Sequence, residues 1–306
     1  MKKILLLILI IILIPVLIIS IFNKESIIYK LKYGSINNKI VRVKINKTGE
    51  IKNVPLEEYV IGVVAGEMPA TFNLEALKSQ AVASRTYVLK RINNKNAYDV
   101  EDGVNNQVYI DNDKMREKWN NNYEENLKKI KDAVLKTKGE VIFYNNNLID
   151  AMFFSTSNGY TENSKDVFTS DLPYLVSVES SWDEAESPVF NSTNEVSKEE
   201  FLYNLGLNPI DDIDIKNIER TSSKRVKSLE INGKKFIGTS IRKIFNLRST
   251  CFYIKIEGDK IKFDVKGFGH GVGLSQYGSN GMAKQGYNYK DIIKHYYKNS
   301  EIKKIY

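Results

Sequence analysis

Apolar and polar positions along this chain follow three patterns, one continuous, one alternating and one of helical period, and they divide it before any residue is read for chemistry. Ile4 to Phe22 is apolar except for Pro15 and Ser20, with Met1-Lys2-Lys3 before it and Asn23-Lys24-Glu25 after it. About 20 such residues cross a bilayer core as a helix, so residues 4–22 are predicted to be a transmembrane anchor. The run is longer than a signal-peptide core, and no Ala-x-Ala-like cleavage triplet follows it. Lys2, Lys3 and the amino terminus hold residues 1–3 on the cytoplasmic side, which places the chain after Asn23 outside the membrane. Residues 23–39 are polar and irregular and read as a stalk.

Beyond the stalk, Val41-Arg42-Val43-Lys44-Ile45 and Ile51-Lys52-Asn53-Val54 flank Asn46-Lys47-Thr48-Gly49-Glu50, a hairpin pattern. From Pro55 the period changes to that of a helix, with Leu56, Val60 and Val63 on one stripe. Glu67 follows Val63 by four residues, so its side chain leaves on the apolar side. Pro69 disfavours helical dihedrals at Met68, which puts Glu67 at the helix end. Asn73 is a good N-cap for a second helix reaching about Ile92, with Leu74, Leu77, Ala81, Val88 and Ile92 as its apolar face. Lys78 and Arg85 lie two turns apart on that helix and share a face near the core edge.

Further along, Gln107–Ile110 is predicted as a short strand, Asn126–Lys138 as a helix stopped by Gly139, and Glu140–Tyr144 with Leu148–Phe154 as a hairpin. Ser180–Ile215 is acidic and weakly patterned apart from a helix at Ser197–Leu205. A strand pair within Ile218–Ile231, a short helix at Ser240–Asn246, a hairpin of Cys251–Ile256 with Lys260–Val265 and a closing helix at Tyr289–Tyr297 complete the pattern. Strands and helices interleave without regular βαβ units, so the class is α+β. Residues 40–306 are read as one mixed α/β ectodomain with several hairpins behind the transmembrane helix.

Composition narrows the surroundings. A single cysteine, Cys251, excludes an internal disulfide framework, and its place in a predicted strand reads as a small buried apolar residue. The net charge of +8 is spread among many Ile and Asn residues with no dense basic stripe interleaved with aromatics, so nucleic acid is excluded as a partner. A diffuse positive surface suits anionic wall polymers or lipid headgroups.

Two stretches carry candidate chemistry. Partial burial and a helix C-terminus both disfavour ionisation of Glu67, which is what a general acid at neutral pH requires. On position alone the favoured reading is a helix-terminal Glu turned to solvent or paired with a Lys. The second stretch is GFGHGVGLSQYGSNG, Gly267 to Gly281, where glycine density permits close approach of a ligand to the backbone. It has neither GxxxxGK[ST] nor GxGxxG spacing, which excludes a nucleotide loop. His270, one of two histidines, has room there to reach a ligand, and the run ends in Ser275, Gln276 and Tyr277.

The segment VPLEEYVIGVVAGEMPATFNLEALKSQAVASRTYVL, Val54 to Leu89, resembles the core of the stage II sporulation protein D family. GFGHGVGLSQYGSNGMAKQGYNYKDIIKHYY, Gly267 to Tyr297, resembles its C-terminal signature, and STSNGYTEN, Ser155 to Asn163, its central serine-rich motif. The resemblance implies a membrane-anchored lytic transglycosylase of engulfment, cutting glycan strands freed of stem peptides by a partner amidase, and docked to a membrane scaffold. Its domain would face the space outside the mother-cell membrane. Glu67, in the E-M-P motif, is implied as the single acid/base. Lys78, Arg85, Ser155, Ser157, His270, Gln276 and Tyr277 are implied to bind substrate, and no cofactor is implied. Because relatives include amidase enhancers, the resemblance also admits a non-catalytic glycan-binding module.

One departure bears on metals. Some members carry a Cys/His cluster before the Gln-Val-Tyr element and a His before Ser-Thr-Ser, whereas here the first region reads Asp99 to Gln107 without Cys or His and the second has Phe154. Asn is a poor zinc ligand, so no metal is expected. Asn158 also stands where a glycine is common in the central motif.

Overall fold

The computed structural model describes residues 39–93, 95–103, 105–209 and 212–306. The predicted anchor at 4–22 and the stalk up to residue 38 lie outside the described residues. Among the described residues no helix is long and apolar enough to cross a membrane.

The first hairpin forms as its alternation predicts: Ile40–Lys44 pairs antiparallel with Ile51–Pro55, Val41 opposite Val54. Val41 and Val43 point into the core while Ile40 and Ile51 stay exposed. The chain then turns directly into the helix Leu56–Glu67. Asn73 caps Leu74–Arg91, its side chain accepting from the Glu75 N–H at 3.0 Å.

The Leu74–Arg91 helix is buried far more completely than its apolar stripe suggested. Every residue from Ala76 to Val88 except Lys78 is buried, including Ser79, Gln80, Ser84, Arg85 and Thr86. The helices Leu56–Glu67, Tyr123–Lys136, Gln276–Lys284 and Tyr289–Tyr296 and the strand Glu140–Tyr144 all pack on it. Several of its polar side chains bond within the helix: Ser79 donates to the Ala76 carbonyl (2.7 Å), Thr86 to that of Val82 (2.7 Å), and Gln80 to Ser84 (3.0 Å), while Gln80 Oε1 has no partner. Small hydroxyl residues thus let neighbours approach from all sides, which a hydrophobicity pattern does not reveal.

Two predicted elements take a different form. Gln107–Ile110 is not a strand: Val108 and Ile110 spend their N–H groups on the Leu56–Glu67 helix, at the Glu67 carboxylate (2.7 Å) and the Gly62 carbonyl (3.3 Å). The segment can lie that close because Gly62 and Gly66 have no Cβ; one at Gly66 would sit 2.3 Å from the Val108 oxygen. The hairpin after Glu140–Tyr144 is short, with Asn147–Leu148 as its return, and Phe153–Phe154 leaves to pair in parallel with Leu274–Ser275. The other edge of Glu140–Tyr144 is taken by Glu301–Lys304 at the end of the chain.

Residues 191–266 hold a second hydrophobic core. Asn191–Ser197 joins the predicted Phe252–Glu257 and Lys260–Lys266 hairpin, and Ile215–Arg220, Val226–Ile231 and Lys234–Ile237 form an antiparallel three-stranded sheet. Phe201, Phe245, Phe252 and Phe263 stack at its centre. The helices Lys198–Asn204 and Gly238–Ile244 fall where their patterns predicted, within two residues at each end. The result is a mixed α/β fold of several small sheets.

Candidate functional site

Glu67 is the last residue of its helix, and the groove it faces is assembled from distant parts of the chain. Tyr87 and Arg91 of the second helix, Asn106 and Val108, the Met152–Ser155 segment, Phe268 to His270 and Gln276 line a cleft of about 710 Å³. The parallel pairing of Phe153–Phe154 with Leu274–Ser275 creates the junction, and Tyr277 N–H extends it by donating to the Ser155 carbonyl at 3.1 Å. The glycine signature is what permits this proximity. A Cβ at Gly273 would lie 2.1 Å from the Met152 oxygen, and one at Gly269 would lie 2.8 Å from Phe154 Cβ. Both glycines also have positive φ, +82° and +112°.

The Glu67 carboxylate is held by neutral donors. Oε1 accepts from the Val108 N–H at 2.7 Å and Oε2 from Gln276 Nε2 at 3.4 Å. Burial pushes its pKa above the ordinary glutamate value, against the Val108 and Gln276 hydrogen bonds and the charge of Lys118, which favour ionisation. Lys118 comes from the helix Asn112–Trp119, and its ammonium caps the carbonyls of Ala65 (2.8 Å) and Gly66 (3.4 Å). It thereby offsets the negative end of the Glu67 helix. Desolvation, not the helix dipole, is the dominant reason the acid form is favoured.

The other sequence-predicted residues fall into two groups. Ser155, His270 and Gln276 line the groove with Glu67. Tyr277 flanks it, half-buried with its ring edge-on to Phe72 at 4.9 Å. Lys78, Arg85 and Ser157 are not among the residues lining it. Lys78 pairs with Glu75 at 2.5 Å, and its ammonium stands 5.4 Å over the Tyr289 ring. Arg85 is fully buried: Nε and Nη2 hold Glu57 at 2.9 and 2.7 Å, and Nη1 and Nη2 reach the carbonyls of Glu140 (3.1 Å) and Val134 (3.2 Å). Lys78 and Arg85 do share a helix face, as their spacing implied, but that face meets protein.

His270 is not poised for proton transfer near neutrality. Its ring lies between Phe154 and Phe168, with centroids at 5.7 and 5.6 Å, and its Nδ1 accepts from the Val272 N–H at 3.0 Å. Burial and the nearby charges of Arg225 and Arg242 push its pKa down to about 4, against a hydrogen bond to the Phe153 backbone. The neutral imidazole offers a hydrogen bond and an aromatic face. With Phe153, Phe154, Phe168 and Phe268 it gives the groove apolar walls around few polar groups, the usual composition of a ligand cleft.

Asp183 organises the floor beneath these residues, and nothing in the weakly patterned 180–215 segment pointed to it. Its buried carboxylate accepts from Ser157 N–H (2.8 Å) and from the hydroxyls of Ser157 (2.9 Å), Ser180 (2.6 Å) and Ser275 (2.5 Å). It therefore ties the central serine motif to the residue just before Gln276. Burial raises its pKa in spite of these four donors. Asp183→Ala is expected to cost about 3 kcal/mol, because four buried donors lose their acceptor at once. A shift of the urea midpoint by less than about a quarter of that amount would show the network to be dispensable. Asn158, in the glycine's place, donates to the Ser223 carbonyl (2.7 Å) and to Cys251 Sγ (3.1 Å), and Gly159 after it has φ +101°.

Among the described residues no group of three or more His, Cys, Asp or Glu is placed to hold a metal ion. In the Asp99–Gln107 region, Asp99 pairs with Arg42 at 2.7 Å and Asp102 accepts from the Asn46 N–H at 2.7 Å.

Comparison with known proteins converges on one group. A family model described as Stage II sporulation protein matches residues 44–144, and one described as a domain of unknown function matches residues 113–273. Stage II sporulation protein D of Bacillus subtilis (strain 168) is 45% identical over 259 residues, covering 82% of this chain and 75% of that protein. The protein of the same name from Bacillus amyloliquefaciens is 45% identical over 271 residues, covering 86% and 78%. A Bacillus subtilis protein named Amidase enhancer is 30% identical over 292 residues, covering 77% of this chain and 39% of its own length.

Proposed function

The chain belongs to the stage II sporulation protein D family, and we propose that it is a lytic transglycosylase that cuts peptide-free glycan strands of peptidoglycan during sporulation. One observation carries the reading. Among the described residues lining the groove, Glu67 is the only carboxylate. Glycoside hydrolysis by the common mechanisms uses two carboxyl groups flanking the bond. A lytic transglycosylase works with one, because the sugar supplies the nucleophile. Glu67 in its acid form gives its proton to the departing glycosidic oxygen as the bond to the muramyl C1 breaks. The muramyl 6-hydroxyl oxygen then bonds to that C1, its proton returns to Glu67, and a 1,6-anhydro ring is the product.

The surroundings suit both halves of this cycle. Burial keeps a population of the acid, while Val108 N–H and Gln276 stabilise the carboxylate once the proton has left. Two other acids of the family-like segments, Glu75 and Glu162, are held elsewhere: Glu75 by Lys78 and the Tyr289 N–H, Glu162 by the hydroxyls of Thr221 and Ser223. The same reading places the domain outside the membrane behind the 4–22 anchor, acting with a cell-wall amidase that strips the stem peptides and with a membrane scaffold.

The name of the amidase-enhancer relative favours a second reading, in which the groove holds glycan without cutting it and stimulates the amidase. Mass spectrometry of denuded strands incubated with the protein alone separates the two. The transglycosylase reading expects anhydro-muramyl ends. Reducing ends would indicate a hydrolase, and unchanged strands with stimulation only when amidase is added would establish the enhancer.

A further inference from the structure

The Glu67 groove continues into a second recess of about 240 Å³, since His270 and Arg242 line both. Its walls include Glu162, Arg225, Lys227, Thr239 and Arg242. Arg225 is 1% exposed, yet none of its three guanidinium nitrogens has a hydrogen-bond partner. A buried, permanently charged guanidinium without a partner is costly, and native proteins pair such groups. Arg242, half-buried, donates only Nε, to the Leu247 carbonyl at 3.2 Å. Among the described residues neither arginine has an ion-pair partner.

The surrounding acids do not fill this role. Glu162 is committed to the Thr221 and Ser223 hydroxyls and the Asn163 N–H (2.9 Å), and Asp166 accepts from Asn163 Nδ2 at 2.9 Å. Three cations against two carboxylates leave the recess positive. The glycine signature makes the space: a Cβ at Gly271 would lie 2.6 Å from Arg225 Cζ and Nη2, and Gly271 has φ +88°. So the segment that brings Gln276 to Glu67 also admits the unpaired guanidinium beside the groove.

We propose that this recess is a carboxylate subsite, which under the transglycosylase reading seats the lactyl carboxylate of a muramic acid unit whose stem peptide has been removed. Guanidinium groups bind carboxylates through paired, charge-assisted hydrogen bonds, and none of the buried Arg225 nitrogens is committed to a protein acceptor. With the stem peptide attached the lactyl group is an uncharged amide followed by a bulky chain. It then offers no counter-charge to the guanidinium groups. The recess thus selects denuded strands by the charge that denudation creates. This inference rests on the glycan reading of the groove.

The test uses the full chain, solubilised and carrying Glu67→Gln so that ligand is not consumed. Calorimetry compares three tetrasaccharides: alternating N-acetylglucosamine and N-acetylmuramic acid, the same with its lactyl carboxylates amidated, and chitotetraose. The muramic acid form is expected to bind roughly tenfold or more tightly than the other two, the size of a charge-assisted bond. Arg242→Gln, on the more accessible arginine, is expected to bring binding of the muramic acid form down to that of its amidated counterpart, and Arg225→Gln to do the same if it folds. Equal binding of all three sugars by the parent overturns the subsite and leaves the glycan reading standing. Binding of none overturns both. A preference that survives Arg242→Gln in a folded variant also overturns the assignment.

Discussion

Glu67→Gln is expected to lower glycan cleavage about a thousandfold without unfolding the protein. General acid–base catalysis by one positioned group contributes about 10²–10⁴ in rate, and here a single group serves both proton transfers. The amide oxygen of Gln can keep the Val108 N–H bond, so the groove keeps its shape. The pH dependence follows from the direction of the shift. Burial raises the folded-state pKa of Glu67 above its unfolded value, so the acid form persists to higher pH and the rate falls as pH rises through that raised pKa. The same shift sets the sign for stability. The folded state binds the extra proton, so the stability contributed by Glu67 is full below the unfolded pKa and is lost as pH rises through the folded one. At neutral pH the Gln variant should therefore be at least as stable as the parent. Full activity in a folded Glu67→Gln protein, measured as anhydro ends released per minute, would falsify the catalytic assignment.

Arg85→Ala is expected to destabilise the fold by about 4 kcal/mol. Removing one partner of a buried ion pair strands the other charge, at about 3–5 kcal/mol. Here the stranded group is Glu57, whose side chain is 16% exposed, and the carbonyls of Glu140 and Val134 lose donors as well. Tyr306 also donates to Glu57, so the loss reaches the C-terminal residue that closes against this core. Against a typical stability of about 5–15 kcal/mol this is a large fraction. Arg85→Lys keeps the charge but not the planar fork, and should fall between parent and Ala. Urea unfolding midpoints, read beside glycan affinity in the same preparations, give the answer. An unchanged midpoint with lost affinity would return Arg85 to the substrate; the expected result is the reverse.

These two residues illustrate how differently the chain discloses its parts. The stripe of Leu56, Val60 and Val63 and the brake at Pro69 put Glu67 at a helix end on the buried side, and the structure places it there. The Lys78/Arg85 spacing is equally regular, but the neighbours of that face are Glu75, Tyr289 and Glu57 and not a groove. Asn73, Gly139 and the Glu257-Gly258-Asp259 turn marked their boundaries through local capping and turn chemistry. Val108 gave no such signal. Its segment has the composition of a strand, yet Gly62 and Gly66 let it lie against a helix instead. Asp183 and Arg225 carry no local mark at all, because a buried ionisable residue is identified by its partners and these come from several elements.

Periodicity therefore placed the two helices that flank Glu67 and put that carboxylate at the end of the first, since those properties depend on neighbours three or four positions away, whereas the helices Asn112–Trp119 and Gln276–Lys284 carried no stripe that announced them. The glycine run announced a close backbone approach, since that is what glycine permits. The tertiary structure decided what the carboxylate meets. Val108 and Gln276, its hydrogen-bond donors, lie 41 and 209 residues away along the chain. Whether Glu67 holds a proton depends on the balance between burial and these long-range contacts, with Lys118 opposing burial. That balance is a property of packing in three dimensions, and no window of sequence contains it.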